Sequence, residues 1–152
     1  MDFNPISVNV SSEIGKLQHV LVHMPGLGIE NMTPEDAHLY LFSDILNLQV
    51  AQKEYNYFKR VLQKVAHVHE ISDLLADILV DDRIKSTLVD RICKAENRPY
   101  VADYLKGLSP ADLSKQLIEG VRLDSISMVN KEKYLLRPLP NLFFMRDASF
   151  TM

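Results

Sequence analysis

The residue with the clearest chemical potential is a carboxylate, Asp147, which lies in a run of aromatic and thioether side chains. Its neighbours include Phe143, Phe144, Met145 and Phe150, so the sequence predicts a carboxylate that is at least partly removed from water. Such a group stays ionised only beside a cation or a hydrogen-bond donor. The residues alone leave two partners open, which are a salt bridge elsewhere in the fold and a planar cationic ligand.

Histidine and cysteine side chains offer two other kinds of chemistry, and both have a simpler structural explanation. His67 and His69 have the spacing of two side chains on one face of a strand and could hold a metal, but no third ligand of defined spacing accompanies them. Cys93 follows the apolar spacing of a helix, which favours a packed thiol over a nucleophile. We therefore expect no metal site and no cysteine catalysis.

Composition and charge exclude several classes of protein. The 152 residues are 47% hydrophobic and carry a net charge of −3, which is typical of a globular domain. Their 17 Lys and Arg residues are scattered, whereas a nucleic-acid surface needs them on one face. No apolar run approaches the length of a membrane span. A single cysteine excludes an internal disulfide and predicts a reducing, cytoplasmic location.

The first half of the chain is predicted to form an α/β unit. A β-branched run over 17–24 ends at Pro25-Gly26 and predicts a strand, and Thr33-Pro34 predicts a helix start. Apolar residues at three- and four-residue steps predict an amphipathic helix over 46–65. The alternation over 66–71 predicts a second strand, so residues 1–71 should form one strand–helix–strand unit.

The second half begins with helices and returns to strand character. Start signals at Ser72-Asp73, at Asp81-Asp82 and at Ser109-Pro110, with a further segment from Tyr100 to Lys106, predict four helices and an α-helical insert domain over 72–133. Residues 134–152 are predicted to be a return strand that carries Asp147. The chain ends inside that strand, so we expect a truncated sheet.

Four separated motifs resemble the arginine deiminases. They cover the whole chain in register but only the amino-terminal part of the family's pattern. The motifs are Ser12-Glu13-Ile-Gly15 with Val20-Leu-Val-His23 and Pro25-Gly26, Leu41-Phe42-Ser-Asp44, Glu54 to Phe58, and Pro138-Leu-Pro-Asn141-Leu-Phe-Phe144-Met-Arg146-Asp147.

The resemblance implies a fold, a reaction and a set of site residues. The fold is a partial five-bladed α/β propeller of the guanidine-modifying (pentein) superfamily with a helical insert. The reaction is hydrolysis of L-arginine to L-citrulline and ammonia without a metal or other cofactor. Asp147 matches an aspartate that holds the guanidinium group, Asn141 a residue near the substrate carboxylate, Phe144 an apolar wall of the pocket, and Leu41 a position on the lid over the substrate.

The same resemblance implies that no complete set of catalytic residues is present. In the family, the nucleophilic cysteine, the proton-transferring histidine and the substrate-carboxylate arginines correspond to positions beyond 152. The lid reads His38-Leu39-Tyr40-Leu41-Phe42 where the family often has Asp-Glu-Leu-Leu-Phe, Tyr55 stands where a histidine is usual, and Ala148 often aligns with proline.

The sequence therefore leaves two functions open. One is an amino-terminal fragment of an arginine deiminase that is inactive alone and binds L-arginine weakly if at all. The other is an interaction module that associates with a complementary carboxyl-terminal fragment, with another partner or with itself through open strand edges.

Overall fold

The amino-terminal part of the chain is an α/β unit built on two parallel strands. The structure is a computed structural model that describes residues 8–10, 12–123 and 134–148. Strand β1 (His19–Val22) pairs in parallel with β2 (His67–Glu70), so that His19 lies opposite His67 and Val22 opposite Glu70. Between them come α1 (Leu27–Glu30), α2 (Pro34–Leu39) and α3 (Leu48–Leu62). The predicted strand–helix–strand unit is thus confirmed.

The apolar face of α3 is only partly covered by the described residues. The helix starts at its cap residue, because Asn47 accepts a hydrogen bond from the backbone N–H of Val50. Tyr55 is buried against the sheet, whereas Phe58 and Val61 are more than half exposed. The amphipathic pattern therefore predicted the helix correctly but not how much of its face is packed.

Residues 72–119 of the predicted insert are helical apart from the short connections between helices. Its first helix, α4 (Ile71–Ile78), starts directly after β2 with Glu70 at the cap position and without a side-chain cap, so the predicted start signal at Ser72-Asp73 is wrong. The second is α5 (Asp82–Ala95), whose cap residue Asp81 accepts from two backbone N–H groups. A short 3₁₀ helix (Pro99–Val101) leads into α6 (Ala102–Lys106), and α7 (Pro110–Glu119) follows the Ser109 cap.

The main hydrophobic core joins the insert helices to a second small sheet. In that sheet β3 (Val121–Arg122) pairs antiparallel with β4 (Tyr134–Leu136). Leu79, Leu105 and Leu113 are fully buried there, together with Val121 and Leu136. Because Val121 and Leu136 are buried among the insert helices, strand β4 packs against the insert. The predicted domain boundaries at 71 and 133 stay predictions.

The predicted long strand over 134–152 is wrong for most of its described length. Strand structure ends at Leu136, a 3₁₀ helix covers Pro140–Phe143, and α8 (Met145–Ala148) carries Asp147. Proline has no N–H to give to a sheet, and the backbone N–H groups of Leu142, Phe144 and Asp147 bond to carbonyls three residues earlier. Phe150 lies outside the described residues.

The class of the fold is therefore mixed α/β, as predicted, and its sheets are small. Each of the two sheets contains two strands within the described part of the chain. None of the helices there is long and apolar enough to cross a bilayer.

Candidate functional site

Two of the predicted site residues, Asn141 and Phe144, lie where the motif segment contacts the turn after α2. Asn141 donates a hydrogen bond from Nδ2 to the backbone carbonyl of Tyr40, at 3.1 Å. The ring of Phe144 contacts the ring of Phe42, with centroids 6.3 Å apart. Two independent contacts thus join the predicted lid to the segment that carries Asp147.

Asp147 lies one helical turn beyond Phe144 and is open to water. Its backbone N–H bonds to the carbonyl of Phe144 at 3.2 Å, and its side chain is exposed. The predicted desolvation of this carboxylate is therefore wrong, because neighbours in sequence do not enclose a side chain on a short exposed helix. Its neighbour Arg146 pairs instead with Glu13, at 3.0 Å.

Leu41 occupies the tip of the turn in a backbone conformation that leucine rarely adopts. Its φ angle is 62°, and its side chain is 90% exposed. The structure therefore brings Asn141 and Phe144 to the turn that carries Leu41, while the Leu41 side chain itself extends into solvent.

A buried carboxylate, Glu70, forms a second polar cluster that the sequence analysis missed. Glu70 is 8% exposed and accepts hydrogen bonds from Tyr55 Oη at 2.8 Å, from Lys59 Nζ at 2.6 Å and from the backbone N–H of Met24 at 3.1 Å. The cluster fixes α3 and the end of β1 to the end of β2. Burial, and then the hydrogen bond to Glu70, raises the pKa of Tyr55.

Two patterns in the sequence could have revealed this cluster. Tyr55 and Lys59 are four residues apart on one helical face, and Glu70 continues the inward alternation of β2 after Val68. Tyr55 also stands where the resemblance expects a histidine. Its hydroxyl reaches Glu70, so this departure places a hydrogen-bonding group at the same position.

His23 borders the same region and carries an unusual buried nitrogen. Its Nδ1 atom is buried without a hydrogen-bond partner. Burial lowers the pKa of the His23 imidazole, and the nearby Glu70 partly opposes that change. Burial therefore favours the neutral imidazole over the charged one.

Cys93 has the environment of a structural thiol, as the helical spacing predicted. It lies on α5 within the insert core and is 1% exposed. Burial raises the pKa of the thiol, Asp90 raises it further, and Lys106 opposes them. The reactive thiolate is therefore disfavoured.

The histidines of the two parallel strands contact one another. His19 Nδ1 lies 3.0 Å from His69 Nε2, and the two ring centroids are 5.3 Å apart. The distance between the ring centres equals the nitrogen–nitrogen distance plus about the centre-to-nitrogen distance of each ring, so the two nitrogens point directly at each other. This is the geometry of a hydrogen bond between the rings, and the nitrogens do not converge on an ion. Within the described ranges, no three His, Cys, Asp or Glu residues are grouped as metal ligands.

An open apolar groove runs beside β1. It has a volume of about 550 Å³, and the apolar residues that line it include Val20, Val22, Phe58, Phe143 and Met145. Asn141, Phe144 and Asp147 do not line it. The groove is thus separate from the contact between the turn and the motif segment.

Comparison with known proteins points to one family. The family described as arginine deiminase matches residues 38–152. The arginine deiminase of Pediococcus pentosaceus is 33% identical over an alignment 158 positions long, which covers 93% of this chain and 39% of that protein. Those of Bacillus cereus strain B4264 and of Limosilactobacillus reuteri are 34% and 35% identical over 93% and 92% of the chain. The chain spans about two fifths of the length of these relatives.

Proposed function

Because the chain belongs to the arginine deiminase family, we propose that it supplies the amino-terminal part of an arginine deiminase site and hydrolyses no arginine alone. The proposed reaction converts L-arginine and water to L-citrulline and ammonia, without a metal or other cofactor. The contact of the Asn141 and Phe144 segment with the turn at Tyr40 and Phe42 carries the proposal, because it assembles two of the family's motifs in one place.

Each proposed site residue has a distinct role toward arginine. Asp147 would hold the planar guanidinium by charge-assisted hydrogen bonds, and its exposed side chain is free to meet a ligand. Asn141 would lie near the substrate carboxylate, Phe144 would form an apolar wall, and Leu41 would be part of the lid. These assignments rest on the motif match of residues 138–147 and 41–44.

The proposal that the chain is inactive alone rests on the state of its cysteine. Hydrolysis of arginine in this family needs a thiolate that attacks the guanidinium carbon and a group that moves protons. Cys93 is buried in the insert core, and burial raises the pKa of its thiol. It therefore cannot replace a nucleophile at the site of Asp147.

We also infer the larger fold and the cellular location from the family. The parallel pair β1 and β2 with its connecting helix is the kind of unit from which a five-bladed α/β propeller is built, and the insert would be its satellite domain. A cytoplasmic location agrees with a single unpaired cysteine.

A second candidate function is an interaction module, and the groove beside β1 favours it. Each of β1 and β2 pairs along one edge within the described residues, and Phe58 in the groove wall is 54% exposed. Open strand edges and apolar surface both promote association. The occupant would be a complementary carboxyl-terminal deiminase fragment or a second copy of this chain.

The experiment that separates these functions mixes the purified chain with the carboxyl-terminal three fifths of the Pediococcus pentosaceus relative. Citrulline formation by the mixture that is lost in Asp147→Asn supports the deiminase fragment. Asp103→Asn, which changes an exposed carboxylate on α6, is the matched control and should retain activity. Turnover by the chain alone that disappears in Cys93→Ala would contradict the proposal.

The same samples test the interaction module. Light scattering after size exclusion should give a mass above that of the monomer for the chain alone, or a complex with the added fragment. Phe58→Glu should weaken the association, whereas Val80→Glu, at a 65% exposed position on the insert, should not. A monodisperse monomer that does not bind the added fragment would exclude this function.

A further inference from the structure

The turn after α2 is a helix C-terminal motif with an unfavourable residue at its centre. Leu41 N–H bonds to the carbonyl of His38 at 3.4 Å, and Phe42 N–H bonds to the carbonyl of Ala37 at 2.9 Å. These are the two hydrogen bonds of a Schellman motif, in which the residue at the position of Leu41 is left-handed and is usually glycine. Leucine there is strained, because its Cβ crowds the backbone.

The backbone conformation of Leu41 is unusual among the described residues. Among the described residues only Leu41 and Asn97 have a positive φ without being glycine. Asparagine tolerates this conformation because its short polar side chain bonds locally, whereas leucine gains nothing of that kind. Strained residues persist where the surrounding structure holds them, and they concentrate at functional sites.

The contacts that hold the strained turn come from the motif segment. The carbonyl of Tyr40, the residue just before Leu41, accepts the hydrogen bond from Asn141 Nδ2 at 3.1 Å. Just after Leu41, the ring of Phe42 contacts the ring of Phe144. The two contacts therefore clamp the strained residue from both sides.

We propose that Asn141 is a positioning residue that holds the Tyr40–Phe42 turn in its strained conformation and thereby couples that turn to whatever binds at Asn141. A carbonyl only accepts hydrogen bonds, so the Tyr40 oxygen fixes which end of the Asn141 amide faces it. The second N–H and the Oδ1 atom remain for a ligand. The turn and a ligand thus share one side chain. The inference rests on the proposed function for the ligand at Asn141 and for treating the turn as a lid.

Hydrogen exchange of the Phe42 amide tests the proposal without arginine, so an inactive chain does not affect the result. Asn141→Asp keeps the shape of the side chain but sets an acceptor against the Tyr40 carbonyl. Loss of that bond should raise Phe42 exchange about ten-fold. Asn97→Asp, at the other left-handed position, is the control and should leave it unchanged.

Rescue distinguishes a positioning role from a general structural one. Leu41→Gly removes the strain, so the turn should persist without its clamp. In that background Asn141→Asp should raise Phe42 exchange by less than about three-fold. An equal rise in both backgrounds, or no rise in either, would overturn the proposal.

Exchange of the buried Leu105 amide in the insert reports whether the whole chain remains folded. If Asn141→Asp also exposes Leu105, Asn141→Ala replaces it, because alanine removes the donor without adding a charge. For Asn141→Ala too, an equal rise of Phe42 exchange in both backgrounds, or no rise in either, would overturn the proposal.

Discussion

Replacing Glu70 with glutamine should destabilise the α/β unit through the loss of one buried charge. The carboxylate is 8% exposed and receives hydrogen bonds from Tyr55, Lys59 and the backbone of Met24. A glutamine amide has nearly the same shape and can still accept from two of these donors. The substitution therefore removes the charge, mainly toward Lys59 Nζ at 2.6 Å, together with one of the three accepted hydrogen bonds.

The expected size follows from the burial of the two charges. A hydrogen bond to a charged group contributes about 1.5–3 kcal/mol, and breaking a fully buried pair costs about 3–5 kcal/mol. The Lys59 side chain is 24% exposed, so its ammonium can turn toward water and the upper range does not apply. We expect Glu70→Gln to lower the free energy of unfolding by about 2 kcal/mol.

Urea unfolding followed by far-ultraviolet circular dichroism measures the effect, and a double-mutant cycle with Lys59→Met assigns it. If the pair carries the energy, Lys59→Met should cost less than about 0.5 kcal/mol in the Glu70→Gln background. Glu54→Gln, on the exposed face of the same helix, is the control and should stay within about 0.5 kcal/mol of the parent. A Glu70→Gln variant as stable as that control would refute the reasoning.

Three further predictions concern a glycine, a histidine and a thiol. Gly120→Ala should lower the free energy of unfolding by about 1–3 kcal/mol in the same urea assay, because φ is 83° and the added carbon would lie 2.8 Å from two backbone atoms. Gly107→Ala, which adds a carbon at an ordinary φ with its nearest neighbour at 3.4 Å, should cost less, and an equal cost for both would contradict this account. Burial lowers the pKa of His23 below its ordinary 6.5, so the unfolded chain takes up a proton first. The resulting stability is complete above pH 6.5 and should decline below it by at most about 1.4 kcal/mol per pH unit. His23→Gln should flatten the profile measured by urea unfolding, whereas His38→Gln, at an exposed position, should not. Cys93 should react with a thiol reagent at least about 100-fold more slowly in the native protein than in denaturant, and equal rates would contradict its burial.

Local signals in the sequence predicted most of the helices because local residues decide them. Asp81 and Ser109 cap their helices through hydrogen bonds to the backbone two or three residues later. Gly120 ends α7 with a positive φ of 83°, directly before β3. Each of these interactions spans a few residues, so the sequence pattern contains all the information needed.

The failures concern interactions between distant parts of the chain. The end of the motif segment looked like a strand because it is aromatic, yet strand structure needs a neighbour, and none of the described strands pairs beyond Leu136. The Glu70 cluster joins α3 to the sheet across 11 and 15 residues. The four-residue step of Tyr55 and Lys59 and the alternation of β2 each mark one part of the cluster, but they lie in separate segments, and neither pattern alone shows that the two parts meet.

The exposure of Asp147 leads to the last prediction, which concerns arginine binding. An ion pair in water contributes about 0–1 kcal/mol, whereas a dissociation constant of 1 mM corresponds to about 4 kcal/mol. Asp147 alone therefore cannot hold arginine, and calorimetry should give a dissociation constant weaker than about 1 mM for the isolated chain. If a complementary fragment covers the site and removes water, the same carboxylate should contribute more, and the affinity should rise in the mixture. Asp147→Asn should abolish that rise, whereas Asp103→Asn should not. Micromolar binding by the chain alone, lost in Asp147→Asn, would mean that an exposed carboxylate on a short helix suffices, and the argument from desolvation would be wrong.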